Sequence, residues 1–134
     1  MPAKRNGRKR TVMLIDDEAP WLQVMTTALQ GESFNVITAS SGEAALRQMR
    51  RKKPDLILSD VRMPDMNGFD LFEKVRSDVT LKGVPFVFMS FLDDFDARKV
   101  AKELGADDYV AKPFDTREAK TIVLNLLKRL HEKK

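Results

Sequence analysis

The chain contains no cysteine, so neither a disulfide framework nor thiolate chemistry is open to it. It has no apolar run long enough to span a bilayer. Its first residues are basic but lack the apolar core of a signal peptide. Together these absences make a cytoplasmic protein with no membrane insertion the default expectation. Internal repeats and long linkers are also missing. The 134 residues suit one domain that can bury a core without covalent or metal staples. With 43% hydrophobic and 33% charged residues, the composition is that of an ordinary globular protein.

The first ten residues lack acids altogether. Residues 1–10, MPAKRNGRKR, carry five basic side chains and no carboxylate. Removing those five from the chain's 24 basic residues leaves 19 against 20 acids. The high net charge therefore belongs to a short tail, which has nothing to bury and is expected to be disordered. A solvated extension is preferred over contact with nucleic acid or an anionic surface, which such a tail would favour only weakly. The folded body is expected to span residues 11–134.

Past the tail, short apolar runs alternate with helical patterns. TVMLID (11–16), DLILSD (55–60) and VPFVFMS (84–90) are nearly continuous apolar runs, as expected of parallel strands buried on both faces. FNVITA (34–39) and DDYVA (107–111) are more mixed, which suits edge strands. Pro20 fits a first helical turn, with Leu22, Met25 and Leu29 at helical spacing before Gly31. A second helix, 42–53, ends in Arg50, Arg51, Lys52 and Lys53, cations at the negative end of the helix dipole. A third is expected over about 67–78 and a fourth over about 93–104, stopped by Gly105. The last should start after Asp115 as N-cap, with Ile122, Val123, Leu126, Leu127 and Leu130 on one face.

Five β-α units with right-handed crossovers give an α/β fold: one parallel sheet with helices on both faces. Strand order 2-1-3-4-5, the flavodoxin-like winding, puts the mixed strands at the edges. Sites in such sheets form at the carboxyl ends of strands beside the reversal of winding. Those ends carry Asp16, Asp17 and Glu18 after the first strand, Asp60 after the third, Ser90 after the fourth and Lys112 after the fifth. Each has a plain explanation alone: a cap, a turn, a strand end, a solvated cation. Jointly those explanations fail, because clustered carboxylates repel unless something neutralises them. A hard divalent cation does so, and Mg²⁺ suits a site of few carboxylates with waters left to donate.

With these residues in place, the chain resembles the receiver domains of two-component response regulators, the CheY-like group. The resemblance runs from residue 11 to about 131. It rests on Asp16-Asp17, on the D-x-x-M-P-x-M-x-G segment from Asp60 to Gly68, on Ser90 and on Lys112-Pro113. The intervals also match, 30 residues from Asp60 to Ser90 and 22 from Ser90 to Lys112. The resemblance implies that Asp60 is a phosphoacceptor, taking a phosphoryl group from a histidine kinase or a phosphotransfer protein. It implies Mg²⁺ held by Asp17, Asp60 and the backbone carbonyl of Arg62, with Asp16 acting through water. Lys112 would neutralise one phosphoryl oxygen and Ser90 would donate to another, and the Lys112–Pro113 bond would be cis. The domain would catalyse only its own phosphorylation and dephosphorylation.

Output would be a population shift in which Ser90 moves inward and Tyr109, the chain's single tyrosine, takes the space. The face of helix 4, strand 5 and helix 5 would then meet a downstream protein, with Phe95, Lys99, Lys102, Tyr109 and Lys120 as candidate contacts. Two positions depart from the family pattern. Phe91 follows the switch serine where a small residue is usual, and Arg62 could overhang the site, although a solvated loop cation is an equal reading. Both belong to the rim.

Three rival readings compete with this one. A haloacid-dehalogenase-like Mg²⁺ phosphatase needs a second acid two residues after the nucleophile, where this chain has Arg62. A flavodoxin-type flavin binder needs a phosphate loop after the first strand, where this chain is acidic. A degenerate receiver working as a phosphorylation-independent interaction module would not need the acidic pocket, Ser90 or Lys112. The chain stops one helix after the fifth strand, as either a free-standing receiver or a piece of a longer regulator would.

Overall fold

The computed structural model describes residues 9–30, 34–91, 94–112 and 115–132. Five strands alternate with five helices: β1 Arg10–Ile15, α1 Ala19–Leu29, β2 Phe34–Ala39, α2 Gly42–Arg51, β3 Leu56–Asp60, α3 Gly68–Ser77, β4 Phe86–Phe91, α4 Phe95–Leu104, β5 Asp108–Lys112 and α5 Ala119–Glu132. All strands are parallel and lie in the order β2-β1-β3-β4-β5. The winding and the edge positions of β2 and β5 agree with the sequence pattern. β1 opens at Arg10, which pairs with Phe34, one residue earlier than expected.

The apolar runs are continuous because both sheet faces are covered. Met13, Ile15, Ile57, Phe86 and Phe88 face one core with residues of α2, α3 and α4. Their neighbours Val12, Leu14, Leu56, Leu58, Val87 and Met89 face the other core with α1 and α5. Side chains alternate across a strand, so an unbroken apolar run is what two covered faces require. In the first core Phe72, Phe86 and Phe88 stack with ring centroids 5.0–5.6 Å apart. Tilted and edge-on aromatic pairs of this kind add to simple area burial.

Helix ends follow local chemistry. Ser41 caps α2 by accepting from the Ala44 amide, and Asn67 with Asp70 forms a capping box on α3. Gly105 ends α4 at φ 81°, in the left-handed region that suits glycine. Several boundaries differ from expectation, α2 ending at Arg51 and not Lys53, and β4 running Phe86–Phe91 and not 84–90. α4 begins at Phe95 with Asp94 as its N-cap. Asp115 opens a single 3-10 turn, Thr116–Glu118, and α5 begins only at Ala119. The cause is local: the Asp115 carboxylate accepts from the Arg117 amide and guanidinium. The expected stop at Gly31, the tail before residue 9 and the Lys112–Pro113 bond fall outside the described residues. Among the described residues, no helix is long and apolar enough to cross a membrane.

Candidate functional site

The carboxyl ends of β1, β3 and β5 converge. Asp16 follows β1 and is fully buried, with its amide bonded to the Ala39 carbonyl at 3.1 Å. One of its carboxylate oxygens accepts from the Glu18 amide at 3.0 Å, the other from the Lys112 ammonium at 2.7 Å. Asp60, the last residue of β3, is 6% exposed, and its carboxylate lies 3.5 Å from the same ammonium. Asp17 is exposed and brings a third carboxylate. One oxygen from each of Asp16, Asp17 and Asp60 lies within 4.8 Å of the others.

The electrostatics follow from burial. Loss of water, followed by the charge of Asp16, pushes the Asp60 carboxyl up to about 6 despite Lys112. Desolvation also raises Asp16, against the hydrogen bond from Lys112. For Lys112 itself, burial works to depress the ammonium. The Asp16 hydrogen bond and the charge of Asp60 together outweigh it, and the net shift is upward. The lysine thus stays charged while both buried acids hold protons more readily than usual. A site built this way is short of positive charge. All the carboxylates offer hard oxygen donors, which fits a small divalent cation better than a soft metal.

Ser90 and Arg62 meet on a residue that the sequence pattern did not single out. The Ser90 hydroxyl donates to Asp94 at 3.1 Å, and Arg62 grips the same carboxylate with two nitrogens at 2.9 Å each. Arg62 is thus a solvent-exposed loop cation whose head is paired with Asp94. This pairing, led by the Arg62 hydrogen bond, holds Asp94 down to about 2. The only sequence signal was an acid just before a helical pattern, which reads as a cap and nothing more.

Aromatic groups flank the ammonium. The Phe91 ring centroid is 5.2 Å from Lys112 Nζ and the Trp21 centroid 5.4 Å, within cation–π range. Phe91 is 51% exposed. Tyr109 is half-buried against the α2–α4 core, its ring 5.1 Å from the Arg98 guanidinium carbon. Its hydroxyl is buried with no hydrogen-bond partner among the described residues.

Gly68 explains the end of the D-x-x-M-P-x-M-x-G segment. Its amide bonds to the Val61 carbonyl at 2.9 Å. A Cβ there would stand 2.4 Å from the Asp60 carbonyl oxygen and 3.0 Å from Val61 Cα. Only a residue without a side chain lets α3 start so close to the tip of β3.

Comparison with known proteins agrees with this geometry. A family model described as "Response regulator receiver domain" matches residues 12–124. The "Probable transcriptional regulatory protein TcrX" of Mycobacterium tuberculosis is 35% identical over 126 residues, 94% of this chain and 53% of that protein. The DNA-binding response regulator MtrA of Mycolicibacterium paratuberculosis is 35% identical over 121 residues, 90% of this chain and 52% of its own length. The chain thus spans about half the length of these curated relatives. Among solved structures, the chemotaxis protein CheY4 of Vibrio cholerae superposes with a TM-score of 0.79 at 29% identity, covering 92% of this chain and 99% of that one. Fold, acidic strand ends and sequence agree: the chain belongs to the response regulator receiver domains of two-component signalling.

Proposed function

We propose that Asp60 is the phosphoacceptor of this receiver, taking a phosphoryl group from a phosphohistidine on a histidine kinase or phosphotransfer protein. The supporting observation is the placement of Asp60 at the end of β3, with the buried Lys112 ammonium 3.5 Å away. In the reaction an Asp60 oxygen forms a bond to phosphorus as the phosphorus–nitrogen bond breaks, and the histidine leaves with a proton. Lys112 offsets charge on the phosphoryl oxygens, and Ser90 donates a hydrogen bond to one of them. Lys112 already sits among three carboxylates, Asp16, Asp60 and Glu18. It is therefore oriented before the reaction begins.

Asp17, Asp60 and the Arg62 backbone carbonyl would hold Mg²⁺, with Asp16 acting through water, since Asp16 is occupied by Lys112. When bound, the ion supplies charge neutralisation for the phosphoryl oxygens. Ser90 and Tyr109 are the switch pair, and the buried Tyr109 hydroxyl, without a partner among the described residues, suits a side chain with a second position to occupy. The downstream partner would meet the α4–β5–α5 face, where Phe95 is 73% exposed and Lys99 and Lys102 face solvent. Curated relatives are named as transcriptional regulators, and control of such an output is the reading that best fits a receiver of this sequence. The domain acts in the cytoplasm, and its catalysis is limited to its own phosphorylation and dephosphorylation.

Incubation with a small acyl phosphate or amidophosphate and Mg²⁺ separates this from the rivals. A hydroxylamine-sensitive adduct that disappears in Asp60→Asn is expected. Steady turnover of phosphate esters would instead indicate a phosphatase, and no adduct from any donor or kinase would indicate an interaction module.

A further inference from the structure

The Asp94 carboxylate receives four donors from three segments. Arg62 comes from the loop after β3, Ser90 from β4, and the Ala97 amide from the first turn of α4 at 3.2 Å. Ser90 follows Met89, which pairs with Asp60 across β3 and β4, and Arg62 lies two residues after Asp60, so both donors stand next to the residue that would carry a phosphoryl group. A hydroxyl has one proton to donate, so Ser90 can serve Asp94 or a phosphoryl oxygen, but not both with that proton. A guanidinium gripping one carboxylate with two nitrogens likewise has its fork committed.

We infer that Asp94 is a positioning residue that competes with the phosphoryl group for Ser90 and Arg62, and so ties the N-cap of α4 to the state of Asp60. The inference rests on the phosphoacceptor reading above. In the resting protein, Asp94 holds both donors and caps α4 with its other contact. A phosphoryl group on Asp60 is a stronger acceptor with more charge, and it takes the Ser90 proton. Asp94 then keeps the Ala97 amide and loses its tie to β4, which frees the first turn of α4 to shift. The exposed flank of that turn carries Phe95. The competition also sets a resting bias against the activated form, because the Ser90 donor that Asp94 holds must be surrendered.

The test uses beryllofluoride with Mg²⁺ as a non-hydrolysing phosphoryl mimic, read by fluorine NMR and calorimetry on the whole chain. Asp94→Asn and Asp94→Ser both keep a residue that caps helices well. The first lacks the charge that binds Arg62, and the second is too short to reach it. Both should bind the mimic more tightly than the parent, by about threefold, the scale of a partly exposed ion pair. The gain should shrink in an Arg62→Ala background, because the partner is already gone. Thermal unfolding provides the control, since a residue that only caps α4 would leave the affinity for the mimic unchanged whatever small shift in melting temperature these caps produce. Unchanged or weaker binding in both variants, with the parent still binding, would overturn the competition and leave the phosphoacceptor reading standing. Absence of any adduct in the parent would overturn both.

Discussion

Asp60 is a carboxyl group held almost out of water beside another buried acid, and its acidity reflects that. With the folded value raised to about 6 and an unfolded value near 4, the folded chain binds the proton more tightly. Its contribution to stability in the metal-free protein therefore rises as pH falls from about 6 towards 4, and levels off below. A cation must displace this proton, so Mg²⁺ affinity should weaken as pH falls through 6. Carbon-13 NMR of the Asp60 carboxyl checks this: a midpoint near 6 without Mg²⁺, and a lower one with it. Phe91 poses a second question at this scale. Its half-exposed ring lies 5.2 Å from the Lys112 ammonium, where it can obstruct small donors and attacking water. Phe91→Ala should be phosphorylated several-fold faster by a small donor. Stopped-flow fluorescence suits the comparison, because the Trp21 ring lies 5.4 Å from the same ammonium; equal rates would remove steric gating. Tyr109 has a buried hydroxyl without a partner among the described residues, and such a group costs about 1–3 kcal/mol. Tyr109→Phe should therefore be at least as stable as the parent in chemical denaturation, by up to about 1 kcal/mol.

Elements bring these residues together through contacts that are far apart in sequence. The start of α3 lies against the end of β3 so closely that a methyl group at position 68 would collide with the Asp60 carbonyl. Gly68→Ala should cost about 1–3 kcal/mol of stability through overpacking. It should also slow phosphorylation more than an equally destabilising core substitution does, because the backbone it displaces carries Asp60. Paired denaturation and donor-labelling measurements on Gly68→Ala and Val75→Ala make that comparison. The same scale shows where sequence reasoning reaches and where it stops. The apolar run around β4 was legible as a strand because burial on both faces leaves few polar positions, although the strand starts at Phe86, two residues later than expected. Gly105 was legible because few residues accept its conformation. The late start of α5 was not, since Asp115 prefers its neighbour Arg117 and closes a tighter turn first. The role of Asp94 was hidden for a different reason. Its bond to Arg62 spans 32 residues, and nothing in local spacing encodes which distant donor a cap will attract.

The whole molecule is a sheet between two cores, with its chemistry confined to one edge. That arrangement was readable from the alternation of strands and helices, because right-handed crossovers leave few ways to wind five parallel strands. The convergence of Asp16, Asp17, Asp60 and Lys112 at one edge was readable for the same reason: all four follow or end strands of one parallel sheet. What topology could not supply was the division of labour at that edge. Lys112 is committed to Asp16 and lies near Asp60, whereas the buried Ser90 hydroxyl is held by Asp94. The charge of the chain, by contrast, is concentrated in its first ten residues and leaves the folded body nearly neutral. Electrostatic attraction to the phosphodonor must therefore come from the local charges of the site more than from a global field. The phosphoacceptor assignment is tested most directly by mass spectrometry of the whole chain after exposure to a small phosphodonor with Mg²⁺. The expected result is the gain of one phosphoryl group, mapped to Asp60, removed by hydroxylamine and absent from Asp60→Asn. A phosphoryl group mapped elsewhere, or one retained in Asp60→Asn, would contradict it.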